Sequence, residues 1–142
     1  MRLAVDTNIL IGELLRVRGQ RYFLDSSHEY FTSERVLSEA LHELPRRIRR
    51  MTAWTTTGRE ELERSLAAAL NIIDERIEVI PDAYLTAWEA EARLRVPRDP
   101  NDWELLAVAL LTEAGLWTAD ADFLGCGLPT WSTSVLHVLH PA

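Results

Sequence analysis

The sequence predicts an α/β domain built on a mostly parallel central sheet. Short apolar segments of strand length alternate along the chain with longer segments that have helical periodicity. This alternation is typical of parallel strands joined by crossover helices. The chain has 142 residues, of which 47% are hydrophobic, and this is enough for one domain with its own core. We therefore expect a single domain spanning residues 1–142.

The strands are predicted from short runs of apolar and β-branched residues. The tail, residues 128–141, predicts a further short strand and a final helix. In a parallel sheet of this class, ligands bind beyond the carboxyl ends of the strands, so polar residues that follow a strand are candidates for a site. The four main predicted strands are residues 2–6, 29–32, 76–80 and 116–119.

The segments between the strands have the spacing and the end signals of helices. Gly19 is expected to end the first helix, and Pro45 to kink or stop the second. Thr57 and Glu60 have the spacing of a capping box that opens the third helix. The helix before the fourth strand is apolar on nearly all sides, which predicts burial, and Gly115 is expected to end it. The predicted helices are residues 8–19, 33–44, 57–73, 83–94 and 102–114.

The charged residues exclude several kinds of chemistry. The chain has 22 acids and 15 bases, a net charge of −7, and every base is an arginine. Because lysine is absent, Schiff-base chemistry and a P-loop are excluded. A phosphoaspartate enzyme is also disfavoured, since such proteins usually need a lysine beside the phosphoryl group. The net acidity argues against a general coating of nucleic acid but leaves room for a local basic groove.

The cysteine count and the hydropathy pattern point to a soluble protein of a reducing compartment. Cys126 is the only cysteine, so neither a disulfide framework nor a multi-thiolate metal site is expected. No apolar run approaches the roughly 20 residues that a membrane span needs, and the first residues enter a strand rather than a signal peptide. We expect a cytoplasmic protein without membrane contact.

Four acidic residues, far apart in sequence, are expected at one edge of the predicted sheet. Asp6 ends the first strand and Asp120 ends the fourth, while Asp102 opens the buried helix and Glu39 lies on the helix after strand two. Converging carboxylates repel one another unless they are protonated or bridged by a cation. A ligand set made only of oxygen suits Mg²⁺ or Mn²⁺, and such an ion can activate water against a phosphodiester.

Each of these acids also has an ordinary structural interpretation. Asp6 and Asp102 stand where helix caps are common, and Glu39 could be a solvated surface residue. Helical spacing does not choose between Glu39 and Glu43, which lies slightly nearer the apolar stripe. Asp120, with its neighbour Asp122, is compatible with a simple turn.

Four segments in order along the whole chain resemble the motifs of PIN-domain ribonucleases, most closely the single-domain VapC-type bacterial toxins. They are "AVDTNIL", "SERVLSEALHEL", "RDPNDWELLAVALL" and "LWTADADFLGCGLPTW". The resemblance implies a PIN-like three-layer α/β/α sandwich and a Mg²⁺- or Mn²⁺-dependent endoribonuclease that leaves a 5′-phosphate and a 3′-hydroxyl. It favours Glu39 over Glu43, although Ala40 stands where a larger aliphatic residue is common. The implied site consists of the metal ligands Asp6, Glu39, Asp102 and Asp120, the accessory acid Asp122, and the supporting residues Thr7, Asn8 and Thr118.

The resemblance also implies partners. Toxins of this type pair with an antitoxin, which would cover the active-site groove, and usually form homodimers; five tryptophans and an apolar tail helix would provide surface for pairing. RNA contact is predicted for the arginines of "PRRIRR", although a solvated helix end is the ordinary interpretation of such a run. A non-catalytic PIN-like module that binds RNA or protein is the alternative function. The predicted RNA-binding residues are Arg46, Arg47, Arg49 and Arg50, with a second basic group at Arg16, Arg18 and Arg21.

Overall fold

A computed structural model describes residues 1–52 and 58–141 and contains one five-stranded sheet. The strand order is β3-β2-β1-β4-β5, and every neighbouring pair is parallel. The predicted α/β class with a mostly parallel sheet is therefore confirmed. The strands are β1 (Arg2–Val5), β2 (Glu29–Ser33), β3 (Ile77–Ile80), β4 (Gly115–Trp117) and β5 (Thr130–Trp131).

Helices cover both faces of this sheet, as the three-layer prediction required. Short 3₁₀ turns interrupt the helical segments at Thr86–Trp88, Pro100–Asp102 and Ala121–Phe123. Among the described residues, none of the helices has both the length and the apolar character to cross a membrane. The helices are α1 (Thr7–Leu14), α2 (Val17–Leu24), α3 (Glu34–Thr52), α4 (Arg59–Arg76), α5 (Asp82–Leu85), α6 (Glu89–Arg95), α7 (Trp103–Thr112) and α8 (Thr133–Leu139).

The alternation of side chains along the strands divides the core into two layers. In β1, Leu3 and Val5 pack into one buried cluster with residues of α1, α2, α3, α4 and α8. Ala4 faces the opposite side and packs into a second cluster with residues of α6 and α7. Successive strand residues point to opposite faces of a sheet, so an almost wholly apolar strand such as β1 needs helices on both sides.

The strand order reverses direction at β1, and this places the candidate site. From β1 the chain builds β2 and β3 on one side, and then β4 and β5 on the other. Val5 pairs with Trp117 in register, so the residues that follow both strands leave the sheet side by side. A crevice at the carboxyl ends of the strands is expected at such a reversal.

The predicted helix over residues 8–19 is two helices. α1 ends at Leu14, and Gly19 lies inside α2 instead of ending a helix. A Cβ at Gly19 would overlap the backbone of Glu13. The glycine is therefore explained by a close approach of α2 to the end of α1. In the sequence, a glycine at such a contact cannot be told from one that ends a helix.

Pro45 does not stop its helix, because α3 continues to Thr52. Ala40, Leu44 and Ile48 follow one another at intervals of four residues and are all buried. Burial of this apolar stripe offsets the cost of the proline, which removes a backbone hydrogen bond from the helix interior and clashes with the preceding turn.

Other predicted boundaries also move. The segment predicted as one helix over 83–94 is α5, a 3₁₀ turn and α6, and α7 ends before Glu113, which is left-handed at φ 54°. Gly115 is the first residue of β4, where a Cβ would lie 3.0 Å from Nε1 of Trp131. The helix predicted over 57–73 is α4, and Thr57 of its capping box lies outside the described residues.

Candidate metal centre

A cleft of about 500 Å³ opens beyond the carboxyl ends of β1 and β4. Two arginines, Arg35 and Arg47, line it together with acids from four separate segments of the chain. The four predicted metal ligands therefore face one cavity, while the accessory acid Asp122 lines a separate pocket. The acids that line the cleft are Asp6, Glu39, Glu43, Asp102 and Asp120.

Asp6 is both a helix cap and a member of the cleft. Its Oδ1 accepts a hydrogen bond from the backbone N–H of Thr7 at 2.7 Å, which caps α1. Its Oδ2 accepts from the hydroxyl of Thr118 at 2.7 Å. Burial raises the pKa of Asp6, while the bonds from Thr118 and Thr7 act to lower it and the charges of Asp120 and Glu39 to raise it. Capping and ligation are thus compatible, since each carboxylate oxygen keeps a further lone pair.

Thr118 links the acids of the two central strands. Its hydroxyl donates to Asp6 and also accepts from the backbone N–H of Asp120 at 3.0 Å. Asp120 Oδ1 accepts from the N–H of Asp122 at 2.8 Å, so the turn that was the ordinary interpretation of these two acids is present. The turn holds the Asp120 carboxylate at the mouth of the cleft. Asp122 does not line the cleft, and its Oδ1 lies 3.7 Å from Nη1 of Arg98.

Asp102 occupies the cap position of α7, but its side chain makes no capping hydrogen bond. The 3₁₀ turn before α7 is capped by Asp99, whose carboxylate accepts from the N–H of Asn101 at 3.0 Å. The Asp102 side chain is 23% exposed. Burial, together with the charges of Asp99, Asp120 and Asp6, raises the pKa of Asp102 to about 6. Its carboxylate is therefore directed to the acidic cleft and not to its own helix.

The structure brings both glutamates of α3 into the cleft. The Oε2 of Glu39 accepts from the Thr7 hydroxyl at 2.9 Å, which connects it to the residue that follows Asp6. Glu43 instead forms ion pairs with Arg46 at 3.6 Å and Arg50 at 3.8 Å. Glu39 also pairs with an arginine of its own helix, Arg35, at 3.6 Å, so the hydrogen bond from Thr7 is what distinguishes it from Glu43.

Three of the carboxylates are close enough to hold a metal ion together. One oxygen from each of Asp102, Asp120 and Asp122 lies within 4.8 Å of the others. All three donors are carboxylate oxygens, which is the ligand chemistry of Mg²⁺ and Mn²⁺. This trio overlaps the predicted set without being identical to it, because Asp6 and Glu39 line the same cleft outside the trio.

Sequence reasoning missed Arg35 and Glu104. Arg35 Nε lies 3.2 Å from Oε2 of Glu104 and 3.6 Å from Oε1 of Glu39, and Nη2 lies 3.9 Å from Oδ1 of Asp102. Only the spacing of Arg35 and Glu39, four residues apart on one helix, is visible in the sequence. The other two pairs depend on how α3 and α7 dock.

The predicted basic residues divide between the cleft and the outer surface. Arg47 lines the cleft, where its Nη2 donates to Oδ1 of Asn8 at 3.2 Å. Arg16, Arg47 and Arg50 line a neighbouring groove. Arg46, Arg49, Arg18 and Arg21 are exposed and do not line either cavity.

The fold and the cleft together define an α/β/α domain whose carboxylates could hold a divalent cation at the edge of a parallel sheet. The chain belongs to the PIN-domain family, whose model matches residues 4–140. Members of this family are generally nucleases. The structure is similar to the crystal structure of FitAcB from Neisseria gonorrhoeae, with a TM-score of 0.54 and 23% identity over 92% of this chain and 96% of that chain. At this identity the likeness shows the shared fold. None of the curated protein sequences compared with the chain matches it.

Proposed function

We propose that the chain is a Mg²⁺- or Mn²⁺-dependent endoribonuclease, the toxin of a toxin–antitoxin pair that acts in the cytoplasm. The observation that carries this proposal is the convergence of Asp6, Asp102 and Asp120 on one cleft at the carboxyl ends of β1 and β4. Membership of the PIN-domain family supports a nuclease-type toxin. The resemblance of the motifs to VapC-type toxins supports the same class.

The donor set fits a hard divalent cation. Burial raises the pKa of Asp6 and Asp102, which means that negative charge in this cleft is energetically unfavourable. A bound cation would compensate that charge. When bound, such an ion polarises a phosphodiester and makes hydroxide available from water. Asp6, Glu39, Asp102 and Asp120 would hold it, and Asp122 would orient water. Thr118 would keep Asp6 and Asp120 in fixed relative positions, because its hydroxyl bonds to both.

The neighbouring groove offers a path for the RNA backbone. Arg47 belongs to both cavities, and Arg16 and Arg50 continue the positive charge away from the acids. The guanidinium group can donate two parallel hydrogen bonds to a phosphate. A strand whose scissile phosphate lay in the cleft would therefore place its next phosphates over these arginines. Of the predicted RNA-binding residues, Arg47 and Arg50 have the better position, while Arg46 and Arg49 lie outside both cavities.

A homodimer and an antitoxin partner complete the proposal. α8 exposes Val135, Val138 and Leu139, which is apolar surface that a second copy could cover. Of the described tryptophans, Trp117 is fully buried and the others are partly buried against the core, so the tail helix is the better candidate for the contact. Light scattering at micromolar concentration tests the pairing: we expect the mass of two chains, and a strictly monomeric mass would refute the dimer without bearing on the chemistry.

Cleavage of a mixed pool of structured and unstructured RNAs tests the function. We expect cleavage with Mg²⁺ or Mn²⁺, its loss in excess chelator and its return on adding metal. Asp120→Asn should be inactive, while Asp74→Asn, which changes an exposed acid outside the cleft, should cleave normally. Cleavage that persists in chelator would refute the metal mechanism. RNA retention without cleavage under every metal would instead favour the alternative of a non-catalytic binding module.

A further inference from the structure

We propose that Arg35 is a built-in counter-cation of the acidic cleft, which holds the carboxylates together without a metal ion and competes with that ion for them. The proposal rests on the proposed metal site. It assigns a regulatory role to a residue that would contact the metal ligands and not the metal.

The position of Arg35 carries the inference. Its guanidinium faces carboxylates from α3 and from the start of α7: Glu39 at 3.6 Å, Asp102 at 3.9 Å and Glu104 at 3.2 Å. Its Nη1 donates to the backbone carbonyl of Asn101 at 2.9 Å, which ties α3 to the 3₁₀ turn that carries Asp102. One cation thus bridges two predicted metal ligands from separate parts of the chain.

Two of the three acidic partners of Arg35 are less accessible than those of a typical surface ion pair, whereas the Glu39 side chain is 50% exposed. The side chain of Arg35 is 40% exposed, and those of Asp102 and Glu104 are 23% and 20% exposed. Neither Nε of Arg35 nor Oε2 of Glu104 has a well-aligned hydrogen-bond partner among the described residues. The attraction between Arg35 and Glu104 is therefore mainly electrostatic and does not fix a single geometry. Such a pair can rearrange when another cation approaches.

Two consequences of opposite sign follow. Without metal, Arg35 offsets the repulsion between the carboxylates, so its removal should lower the stability of the metal-free protein. With metal, the guanidinium and the ion share Glu39 and Asp102, and like charges at close range repel each other. Removal of Arg35 should therefore tighten metal binding. A residue with only a structural role would give the opposite result for the metal, because a disordered site binds less well.

Arg93 provides a matched control. Its side chain is also 40% exposed, its Nε donates to Glu89 at 2.9 Å, and its Nη1 donates to the carbonyl of Pro100 at 2.8 Å in the same 3₁₀ turn. It does not line the cleft. Loss of Arg93 therefore removes one cation and one tie to the turn while the acids that would bind metal are untouched.

The test measures the Mn²⁺ dissociation constant by electron paramagnetic resonance and the melting temperature in chelator. The proteins are the wild type, Arg35→Met, Arg35→Lys and Arg93→Met. We expect Arg35→Met to bind Mn²⁺ about threefold to tenfold more tightly, a modest factor because the pair is partly screened by solvent, and to melt lower without metal. Arg35→Lys keeps the charge and should stay near the wild type, and Arg93→Met should have unchanged affinity. If Arg35→Met fails to fold, Arg35→Gln takes its place.

Unchanged or weaker Mn²⁺ binding by the folded Arg35 variant would overturn the inference and leave the proposed nuclease intact. The same tightening in Arg93→Met would also overturn it, because the effect would then reflect net charge alone. Absence of Mn²⁺ binding by the wild type would instead overturn the proposed metal site, and this inference with it.

Discussion

Two groups of ionisable side chains are partly or wholly buried in this molecule, and burial shifts both toward the neutral form. The first is the acidic cleft, where the pKa values of Asp6 and Asp102 are raised. The second, which we call the histidine stack, consists of Tyr22, His28 and His137, and there burial lowers the pKa of both histidines. The cause is the same in both regions, because a low-dielectric interior disfavours charge of either sign.

In the histidine stack, burial outweighs the nearby charges of Asp25 and Glu13, which act to raise the pKa of His28 and His137 respectively. The ring of Tyr22 lies between the two imidazoles, with centroids 5.0 Å from His28 and 4.4 Å from His137. Neither imidazole Nε2 has a hydrogen-bond partner among the described residues, and the same is true of the Tyr22 hydroxyl. Stacking and burial therefore keep these rings neutral, and they contribute as packing.

The acidic cleft differs because its charges have dedicated partners. Both oxygens of Asp6 accept hydrogen bonds, and Arg35 faces the carboxylates of Glu39 and Asp102. Donors of this kind favour the ionised form even where burial opposes it. The comparison shows that a shifted pKa alone does not mark a functional site. A shifted pKa together with hydrogen-bond donors and an open cleft is the stronger sign.

The largest effect is expected in the acidic cleft, from Asp102→Asn. We expect RNA cleavage to fall by about a hundredfold or more, because a neutral amide cannot replace a carboxylate as ligand to a hard cation. The metal-free variant should melt at or above the wild-type temperature, since one of the repelling charges is gone, an effect of about 1 kcal/mol. The measurements are an RNA-cleavage assay and paired melting curves with and without Mg²⁺.

Asp99→Asn is the control for that variant. It removes a charge from the same turn but keeps a side chain that can cap it. Cleavage should be little changed, and the gain in melting temperature from metal should match the wild type. An Asp102→Asn protein that behaves in the same way would mean that Asp102 is not a ligand.

Thr118→Val should have the next largest effect. The valine keeps the shape but removes the hydroxyl that bonds to Asp6 and to the N–H of Asp120. We expect about 1–3 kcal/mol of lost stability, because buried polar groups lose a partner, and roughly tenfold slower cleavage from misplaced acids. Urea denaturation and the cleavage assay measure the two effects.

Thr112→Val separates stability from positioning. Thr112 is also buried, and its hydroxyl donates to the carbonyl of Val108 at 2.7 Å, away from the cleft. It should lose stability without slower cleavage at a temperature where it is folded. Equal rate losses in the two variants would remove the positioning role of Thr118.

The pH dependence of metal-free stability should distinguish the two regions by sign. The raised pKa of Asp102, about 6 in the folded state against an ordinary 3.8, gives stability that is full below about pH 4 and lost as the pH rises through 6. The lowered pKa values of His28 and His137 give stability that is full above about 6.5 and lost as the pH falls. Each group contributes a slope of at most about 1.4 kcal/mol per pH unit. Urea denaturation in chelator between pH 4 and 8 measures the slopes.

Two variants assign the slopes to the regions. His137→Phe keeps an aromatic ring against Tyr22 and should flatten the loss on the acid side. The charge of Glu13 raises the pKa of His137 and the charge of Arg18 lowers it, so these two neighbours oppose each other. Asp102→Asn should flatten the loss toward neutral pH. If His137→Phe left the acid-side slope unaltered, the stack would not be the source of that loss.

Thr7→Val should give the smallest effect. It removes the hydroxyl that donates to Glu39 but keeps the backbone N–H that bonds to Asp6. Glu39 is exposed, so a loss of about 0.5–1 kcal/mol in stability and a few-fold loss in cleavage are expected. Thr7→Ser should restore both. A null effect on cleavage would indicate that Glu39 finds its position without Thr7.

The sequence predicted the class of fold because the signals for it are local. Apolar runs identify strands such as β1, and helical spacing identifies α3 and α7. Asp6 and Asp120 could be placed at one edge because parallel strands end on the same side. The division of α1 from α2 could not be predicted, since it depends on the contact of Gly19 with Glu13.

The candidate site was predicted less completely. Asp99 caps the turn and Asp102 makes no capping hydrogen bond. This division depends on side-chain geometry, which composition and spacing do not predict. Arg35 and Glu104 are brought together by the docking of two helices, so no local sequence pattern predicts this pair. The choice of Glu39 over Glu43 needed the resemblance, because the two differ in partners that only the structure reveals.

The most direct test of the central claim is anomalous X-ray diffraction from crystals soaked in Mn²⁺. It locates the ion without any assumption about substrate or activity. We predict an anomalous peak in the cleft, within coordination distance of carboxylate oxygens of Asp102 and Asp120 and close to Asp6. A cleft without manganese at millimolar Mn²⁺, or manganese bound only at other acids of the surface, would contradict the account.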